Sequence, residues 1–347
     1  MQKREKWVDI AKGIAIFLVM LGHSGGCPLR LKVWIYSFHM PLFFILSGFT
    51  LNLNLHPDIF LRKKARSLLV PYVCFSPLLL LFNHLVHLIK GEPVHTIMDS
   101  LLSVFLNWHL SPYEFELWFL ISLFIADLIL YCIFILWKKS FYTFLTCFGV
   151  LLLGFVYNKH VHYPLPWNLD VVFIAVGFIG LGYWFKQIKI ISKCKVLKKN
   201  ELLIITFAAL IINFAIGKIN FELTDLRIDM FQNTYGDYGL FFFSSIAGSI
   251  FVIIISVVIG NNTVLEYLGR NSLVFYILHE PIIYTSISFL VQLFLHLHLN
   301  DIQERFGGII NLMSCFLIVA IEIVLITFIN IFIKQYTPFI IGKHKKM

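Results

Sequence analysis

Two stretches near the amino terminus decide the fold: KWVDIAKGIAIFLVMLGH, residues 6–23, and YSFHMPLFFILSGF, residues 36–49. Each belongs to an apolar segment long enough to cross the hydrocarbon core of a bilayer, which needs about 20 apolar residues. Each also contains a histidine, His23 in the first and His39 in the second. Histidine is costly in hydrocarbon and usually faces a protein interior or a wet cavity there. The two stretches therefore predict a polar chamber inside a membrane bundle.

The composition supports a membrane protein and excludes a soluble one. The chain is 59% hydrophobic and 14% charged, and its mean hydropathy is +0.83, whereas soluble domains are about 25% charged. A net charge of +9 often indicates a nucleic-acid partner, but the basic residues here lie in short loops between apolar spans. We therefore expect a lipid bilayer around the protein and no nucleic-acid partner. The six scattered cysteines form no CxxC pair, which argues against a disulfide framework or a zinc site.

The spacing of the apolar segments predicts an all-α, polytopic transmembrane helix bundle of about ten spans, forming a single membrane-embedded domain over residues 1–347. Most of the 28 basic residues fall on the side of the amino terminus. The positive-inside rule then predicts that both termini are cytoplasmic. The predicted spans are 8–26, 33–54, 67–89, 116–136, 141–157, 168–185, 201–217, 239–259, 272–295 and 308–333.

One face of the first span combines charge with the histidine. Asp9, Lys12 and His23 are separated by multiples of about one helical turn and share a face, with the charges at the inner end and the imidazole at the outer end. The second span enters from the outside near Val33, so His39 reaches a similar depth from the opposite direction. We expect Asp9 to support this polar face.

An imidazole titrates near neutral pH and is suited to act as a general base on a hydroxyl group. The alternative for each histidine is a packing role, with one ring nitrogen bonded to a backbone carbonyl. A metal ion held by His23 and His39 lacks an obvious third ligand, so no metal is predicted.

A basic run, Arg62, Lys63, Lys64 and Arg66, precedes the third span. It is either a positive-inside anchor or a cradle for a phosphorylated donor, because arginine binds phosphate through two parallel hydrogen bonds. Arg62 and Arg66 are four residues apart and would share a helix face.

Later spans carry further polar residues. Glu116 opens the fourth span. The ninth span contains Tyr276, His279 and Glu280, and Pro281 follows Glu280 directly. We interpret these four polar residues as support for the site, or alternatively as members of a structural polar network.

Taken together, these features resemble the acyltransferase-3 family of integral membrane proteins, and within it the fucose 4-O-acetylase-related branch. The stretches that carry the resemblance are WVDIAKGIAIFLVMLGH (7–23), FHMPLFFILSGF (38–49), the basic run before LLVPY (62–72), ELWFL (116–120) and YILHEP (276–281).

The resemblance implies a multi-pass enzyme of a bacterial inner membrane that transfers an acetyl group from cytoplasmic acetyl-CoA to a hydroxyl of a cell-surface glycan. Acetyl-CoA is then a co-substrate, and no cofactor is permanently bound. The resemblance makes His23 the leading catalytic residue and Arg62 and Arg66 the contacts of the CoA phosphates. The resemblance also implies that Lys12 contacts the donor. Many relatives have arginine at this position, and lysine keeps the charge but loses the two-pronged contact.

The hypothesis is direct transfer, in which His23 removes the proton of the acceptor hydroxyl and His39 orients His23 or stabilises the oxyanion. Two other functions stay open: a transporter or flippase for a lipid-linked sugar, and a scaffold whose buried polar groups lock helix packing. The acceptor sugar, the acyl chain and the oligomeric state are left open.

Overall fold

A computed structural model describes residues 5–91, 96–106, 117–161, 163–295 and 308–343 of the chain. Within these ranges the protein consists of helices and connecting loops; the one β-bridge, between Asp229 and Thr234, belongs to no strand. The predicted all-α architecture is therefore confirmed.

The long apolar segments all form α-helices, several of them interrupted. In chain order they are α1 Lys6–His23, α2 Leu29–Tyr36, α3 His39–Thr50, α4 Pro57–Lys64, α5 Val70–Lys90, α6 Ile97–Leu106, α7 Trp118–Trp137, α8 Ser140–His160, α9 Leu169–Gln187, α10 Ile190–Cys194, α11 Lys199–Thr224, α12 Tyr238–Ile259, α13 Thr263–Arg270, α14 Ser272–Leu278, α15 Thr285–Leu295 and α16 Gly308–Tyr336. Short π-helices cover Ala65–Leu69 and His279–Tyr284, and short 3₁₀-helices cover Pro166–Asn168 and Pro338–Ile341.

Nine helical segments of the described chain are long and apolar enough to cross a membrane. They are Leu29–Thr50, Pro57–Lys90, Trp118–Trp137, Ser140–His160, Pro166–Gln187, Lys199–Thr224, Tyr238–Ile259, Ser272–Leu290 and Asn311–Tyr336. The first predicted span corresponds to α1, which has 18 residues but carries Lys6, Asp9 and Lys12 and is therefore too charged to be counted with them. The protein is a multi-pass membrane protein; the cytoplasmic position of its termini stays a prediction.

The predicted second span, 33–54, consists of two helices. It breaks between α2 and α3, at Ser37 and Phe38, and Pro41 lies in the first turn of α3. Proline has no backbone N–H and is tolerated in a first turn, where that N–H would lack a helical partner. The carbonyl of Ser37 accepts a hydrogen bond of 2.9 Å from Ser245 Oγ of α12. The carbonyl that has no helical partner at the break therefore finds a hydrogen-bond donor inside the bundle, as irregular backbone within a membrane requires.

The third and ninth spans are also parts of longer or interrupted helical segments. The predicted third span, 67–89, is the apolar part of a longer helical segment of 34 residues, Pro57–Lys90, and the basic run lies in that segment before the apolar part. In the ninth span, α14 passes into the π-helix before α15 begins. Pro281 lies in this π-helix and cannot donate to the helical ladder. The wider turn displaces His279 and Glu280 from the register of a straight helix.

The helix α1 is the centre of the bundle, since most of its side chains are buried and it contacts α3, α12, α13, α14 and α16. Its backbone approaches α13 closely. A Cβ atom on Gly13 would collide with the carbonyl of Leu265, and one on Gly269 would collide with the carbonyl of Asp9. These two glycines let α1 and α13 pack backbone to backbone, the arrangement that small residues permit in membrane helices.

The amino-terminal end of α1 is tied to the loops on its own side. Lys6 Nζ donates to Asn261 Oδ1 at 2.6 Å, and Arg270 Nε donates to Asp9 Oδ2 at 3.0 Å. These contacts fix the start of α1 against α13 and therefore set the position of His23 at the other end.

Candidate active site

A cavity of about 270 Å³ lies at the carboxyl end of α1, between α2, α3, the π-helix 279–284 and the loop 225–237. It contains five of the side chains that the sequence singled out for the site. They are His23, His39, Tyr276, His279 and Glu280. The other polar or charged residues of its described lining are Lys32, Tyr36, Arg227, Asp229 and Gln232.

The central contact is between His23 and Glu280. His23 Nδ1 touches Glu280 Oε2, and the two side chains are 26% and 35% exposed. A carboxylate accepts, so Nδ1 carries the proton and a neutral ring has its lone pair on Nε2. The last residue of α1 is thereby held by a residue of the π-helix, far away along the chain. This is the geometry of a general base with its orienting carboxylate.

The two other histidines are held in one tautomer by their own helices. His39 Nδ1 donates to the carbonyl of Ile35 at 2.9 Å, and His279 Nδ1 donates to the carbonyl of Tyr276 at 2.9 Å. Their neutral rings then offer Nε2 only as an acceptor. A ring nitrogen bonded to a backbone carbonyl is the contact expected of a histidine that has only a packing role. Both residues nevertheless line the cavity. Because Glu280 occupies the Nδ1 of His23, the expectation that His39 orients His23 receives no support from the geometry.

Tyr36 lies between the two predicted catalytic histidines. Its ring centroid is 5.7 Å from that of His23 and 4.8 Å from that of His39. The guanidinium carbon of Arg227 lies over the Tyr36 ring at 4.3 Å, and Arg227 Nη2 donates to Asp229 Oδ2 at 3.1 Å. The sequence reasoning missed these residues. One signal existed, because Arg227 is among the few basic residues outside the predicted cytoplasmic side.

A second cavity of about 150 Å³ lies further toward the amino-terminal side of α1 and is lined by Lys12, Ser47 and Ser67. It shares Met40 and Tyr276 with the first cavity. These two side chains lie between the cavities, and the two cavities together extend along the face of α1 that was predicted from the spacing of Lys12 and His23.

The remaining predicted residues lie away from the first cavity. Arg62 is exposed on α4, and Arg66 is half-buried in the π-helix 65–69 next to Ser67, which lines the second cavity. Asp9 is buried and paired with Arg270, so its observed contact is structural. Glu116 lies outside the described residues.

The basic run has a buried counter-charge. Lys64 Nζ lies 2.7 Å from Asp127 Oδ2, and Asp127 is fully buried in α7. One of the four basic side chains is thus used for packing the long helical segment against α7.

One group of side chains within the described residues is able to hold a metal ion. His23, His279 and Glu280 each offer one ligand atom, and these atoms lie within 4.8 Å of one another. Two imidazoles and a carboxylate are a ligand set that Zn²⁺ accepts. This group contains His279 and Glu280 and not His39, so it differs from the pair of His23 and His39 that the sequence suggested. The same atoms form the contact of His23 with Glu280, so a bound metal would compete with His23 as a base.

Comparison with known proteins gives one match. The sequence model of the acyltransferase-3 family, described as an acyltransferase domain, matches residues 5–332. No curated protein and no solved structure matches the chain. The match confirms the family resemblance that the motifs indicated, and the fucose 4-O-acetylase-related branch stays a prediction.

Proposed function

Because the chain belongs to the acyltransferase-3 family, we propose that it is an O-acetyltransferase that moves an acetyl group from cytoplasmic acetyl-CoA to a hydroxyl of a cell-surface or lipid-linked sugar. The family makes the protein a membrane acyltransferase. The acetyl donor, the sugar acceptor and the role of His23 as the base are the parts that we add.

The observation that carries the proposal is the contact of His23 with Glu280 in the cavity at the carboxyl end of α1. A carboxylate on Nδ1 fixes the ring orientation and leaves the lone pair of Nε2 for a substrate proton. It also stabilises the imidazolium that forms when the proton moves. A histidine kept only for packing does not need a charged partner that is itself partly exposed to the cavity.

The reaction follows from these roles. His23 Nε2 takes the proton of the acceptor hydroxyl while the oxygen attacks the carbonyl carbon of the thioester. The tetrahedral intermediate then collapses, the carbon–sulfur bond breaks, and the imidazolium returns its proton to the CoA thiolate. The products are an acetyl ester and free CoA, and His23 regains its starting state. Direct transfer therefore needs no covalent acyl-enzyme.

The donor reaches His23 along α1 in this proposal. Lys12 lines the second cavity, and the CoA phosphates would bind near Lys12, Arg66 and Arg62 on the amino-terminal side. Lys12 and His23 are eleven residues apart, or about 16 Å along the helix axis. The pantetheine arm would follow this face past Met40 and Tyr276, which line both cavities.

The developing oxyanion needs a proton donor. Neutral His39 and His279 offer no proton at Nε2, for the reason given above. Tyr36 lines the same cavity beside His23, and its hydroxyl makes no hydrogen bond within the described part of the chain. We therefore assign the stabilisation of the oxyanion to Tyr36. His39 and His279 would accept hydrogen bonds from hydroxyl groups of the sugar.

The test is transfer by purified protein in lipid nanodiscs, with radiolabelled acetyl-CoA and the glycan of producing cells. His23→Ala should abolish labelling of the glycan, while His160→Ala should not, because His160 is an exposed histidine at the end of α8. Both variants should keep the unfolding temperature of the parent. Labelling by folded His23→Ala would refute the base. A parent protein that moves the sugar across vesicles without consuming acetyl-CoA would instead establish the transporter alternative.

A further inference from the structure

Among the described charged residues of the cavity around His23, Lys32 is the one that makes no direct contact with an opposite charge, although its charge acts on Glu280 at longer range. Arg227 pairs with Asp229, and the other oxygen of Asp229, Oδ1, accepts from the backbone N–H groups of Phe231 and Gln232 at 3.1 and 3.4 Å. Glu280 pairs with His23. Lys32 is half-buried in the same cavity, and within the described residues its ammonium group has neither an ion pair nor a hydrogen bond.

The position of Lys32 connects it to the acceptor rather than to the donor. Lys32 and Tyr36 are four residues apart on α2, so their Cβ atoms lie about 5–6 Å apart on one helix face. Tyr36 is stacked beside His23. The second cavity, where the donor phosphates are proposed to bind, is not lined by Lys32. An anion bound by Lys32 would thus lie about one helical turn from the reacting hydroxyl.

We propose that the acceptor sugar carries a negative charge, a carboxylate or a phosphate, near the hydroxyl that receives the acetyl group, and that Lys32 binds this charge. The inference rests on the proposed function of the same site. A partly desolvated ammonium gains from a charge-assisted hydrogen bond, because ion pairs are stronger where water is partly excluded. Lysine is a compact point charge and serves carboxylate and phosphate alike.

The charge of the product provides the first test. Parent protein in nanodiscs labels the glycan extracted from cells that express His23→Ala, and the labelled fragments are separated by anion exchange. We expect the anion-exchange column to retain the labelled fragments. Label that elutes with the neutral fragments overturns the inference. Carbodiimide amidation then distinguishes the two groups, because it neutralises a carboxylate and leaves a phosphate diester charged.

The second test assigns the charge to Lys32. Lys32→Gln should raise the apparent KM for the glycan about ten- to hundredfold, with kcat within about threefold of the parent and an unchanged KM for acetyl-CoA. Lys218→Gln is the matched control, since Lys218 is an exposed lysine that pairs with Glu222 on α11. A lower kcat at unchanged KM would make Lys32 an oxyanion or structural residue, and a higher KM for acetyl-CoA would make it a donor contact. Both results overturn the inference.

Failure of this inference can be told from failure of the proposed function. If the label appears in a neutral product, the proposed acetyl transfer stands and only the proposal of an anionic acceptor is refuted. The absence of label from every carbohydrate product of the folded parent refutes the acetyltransferase, and the anionic acceptor with it.

Discussion

Replacing Glu280 with glutamine removes one negative charge from the contact with His23 and keeps the size of the side chain. Two unit charges at a hydrogen-bonded separation of about 3 Å interact by about 5 kcal/mol at an effective dielectric constant of about 20. The side chains are 26% and 35% exposed, so solvent screens part of this energy. We expect about half of it, 2–3 kcal/mol, to be lost from the transition state, where His23 becomes positively charged. That loss corresponds to a kcat about 30- to 150-fold lower.

The assay is release of CoA thiol by purified protein at saturating acetyl-CoA and glycan. Glu222→Gln is the control, because Glu222 is exposed and pairs with Lys218 away from the cavity. The double variant His23→Ala with Glu280→Gln should be no slower than His23→Ala alone, since residues that act as a unit are not additive. If folded Glu280→Gln keeps more than a third of the parental kcat, the catalytic pair is refuted.

Two further predictions concern the oxyanion and the packing of α1. Tyr36→Phe should lower kcat about 100-fold at nearly constant KM, because one oxyanion donor is lost; an unchanged kcat would remove Tyr36 from that role. Gly13→Leu should lower the unfolding temperature and the yield of folded protein, because the new side chain would collide with the backbone of Leu265. Gly149→Leu, where a Cβ meets nothing within 4 Å, should leave both unchanged, and equal behaviour of the two variants would contradict the close packing of α1 on α13.

Much of the fold could be predicted from the length of the apolar segments, since each crossing needs a similar number of residues. The irregular segments could not. The second span breaks at Ser37 and Phe38, and Pro41 is accommodated in the first turn of α3, so the position of the break cannot be read from the position of the proline. The donor to the freed carbonyl of Ser37 is the hydroxyl of Ser245, on a helix more than 200 residues later.

The candidate site was predicted in part, for a similar reason. The spacing along α1 and the depth of the second span indicated that His23 and His39 approach each other, and both line one cavity. That Glu280 contacts His23 depends on the π-helix, whose register does not follow from a straight-helix pattern. Arg227 reaches Tyr36 from a loop distant in sequence, and such tertiary contacts leave no local signature.

The central claim is that acetyl-CoA enters along α1 and presents its thioester to His23. The most direct measurement is a structure of the protein in lipid nanodiscs with a non-hydrolysable acetyl-CoA analogue. We predict the acyl carbonyl beside His23 and Tyr36, with the phosphates at Lys12 and the basic run that contains Arg66. An analogue whose acyl group lies outside both cavities, or whose phosphates lie on the side of Lys32, would contradict the account.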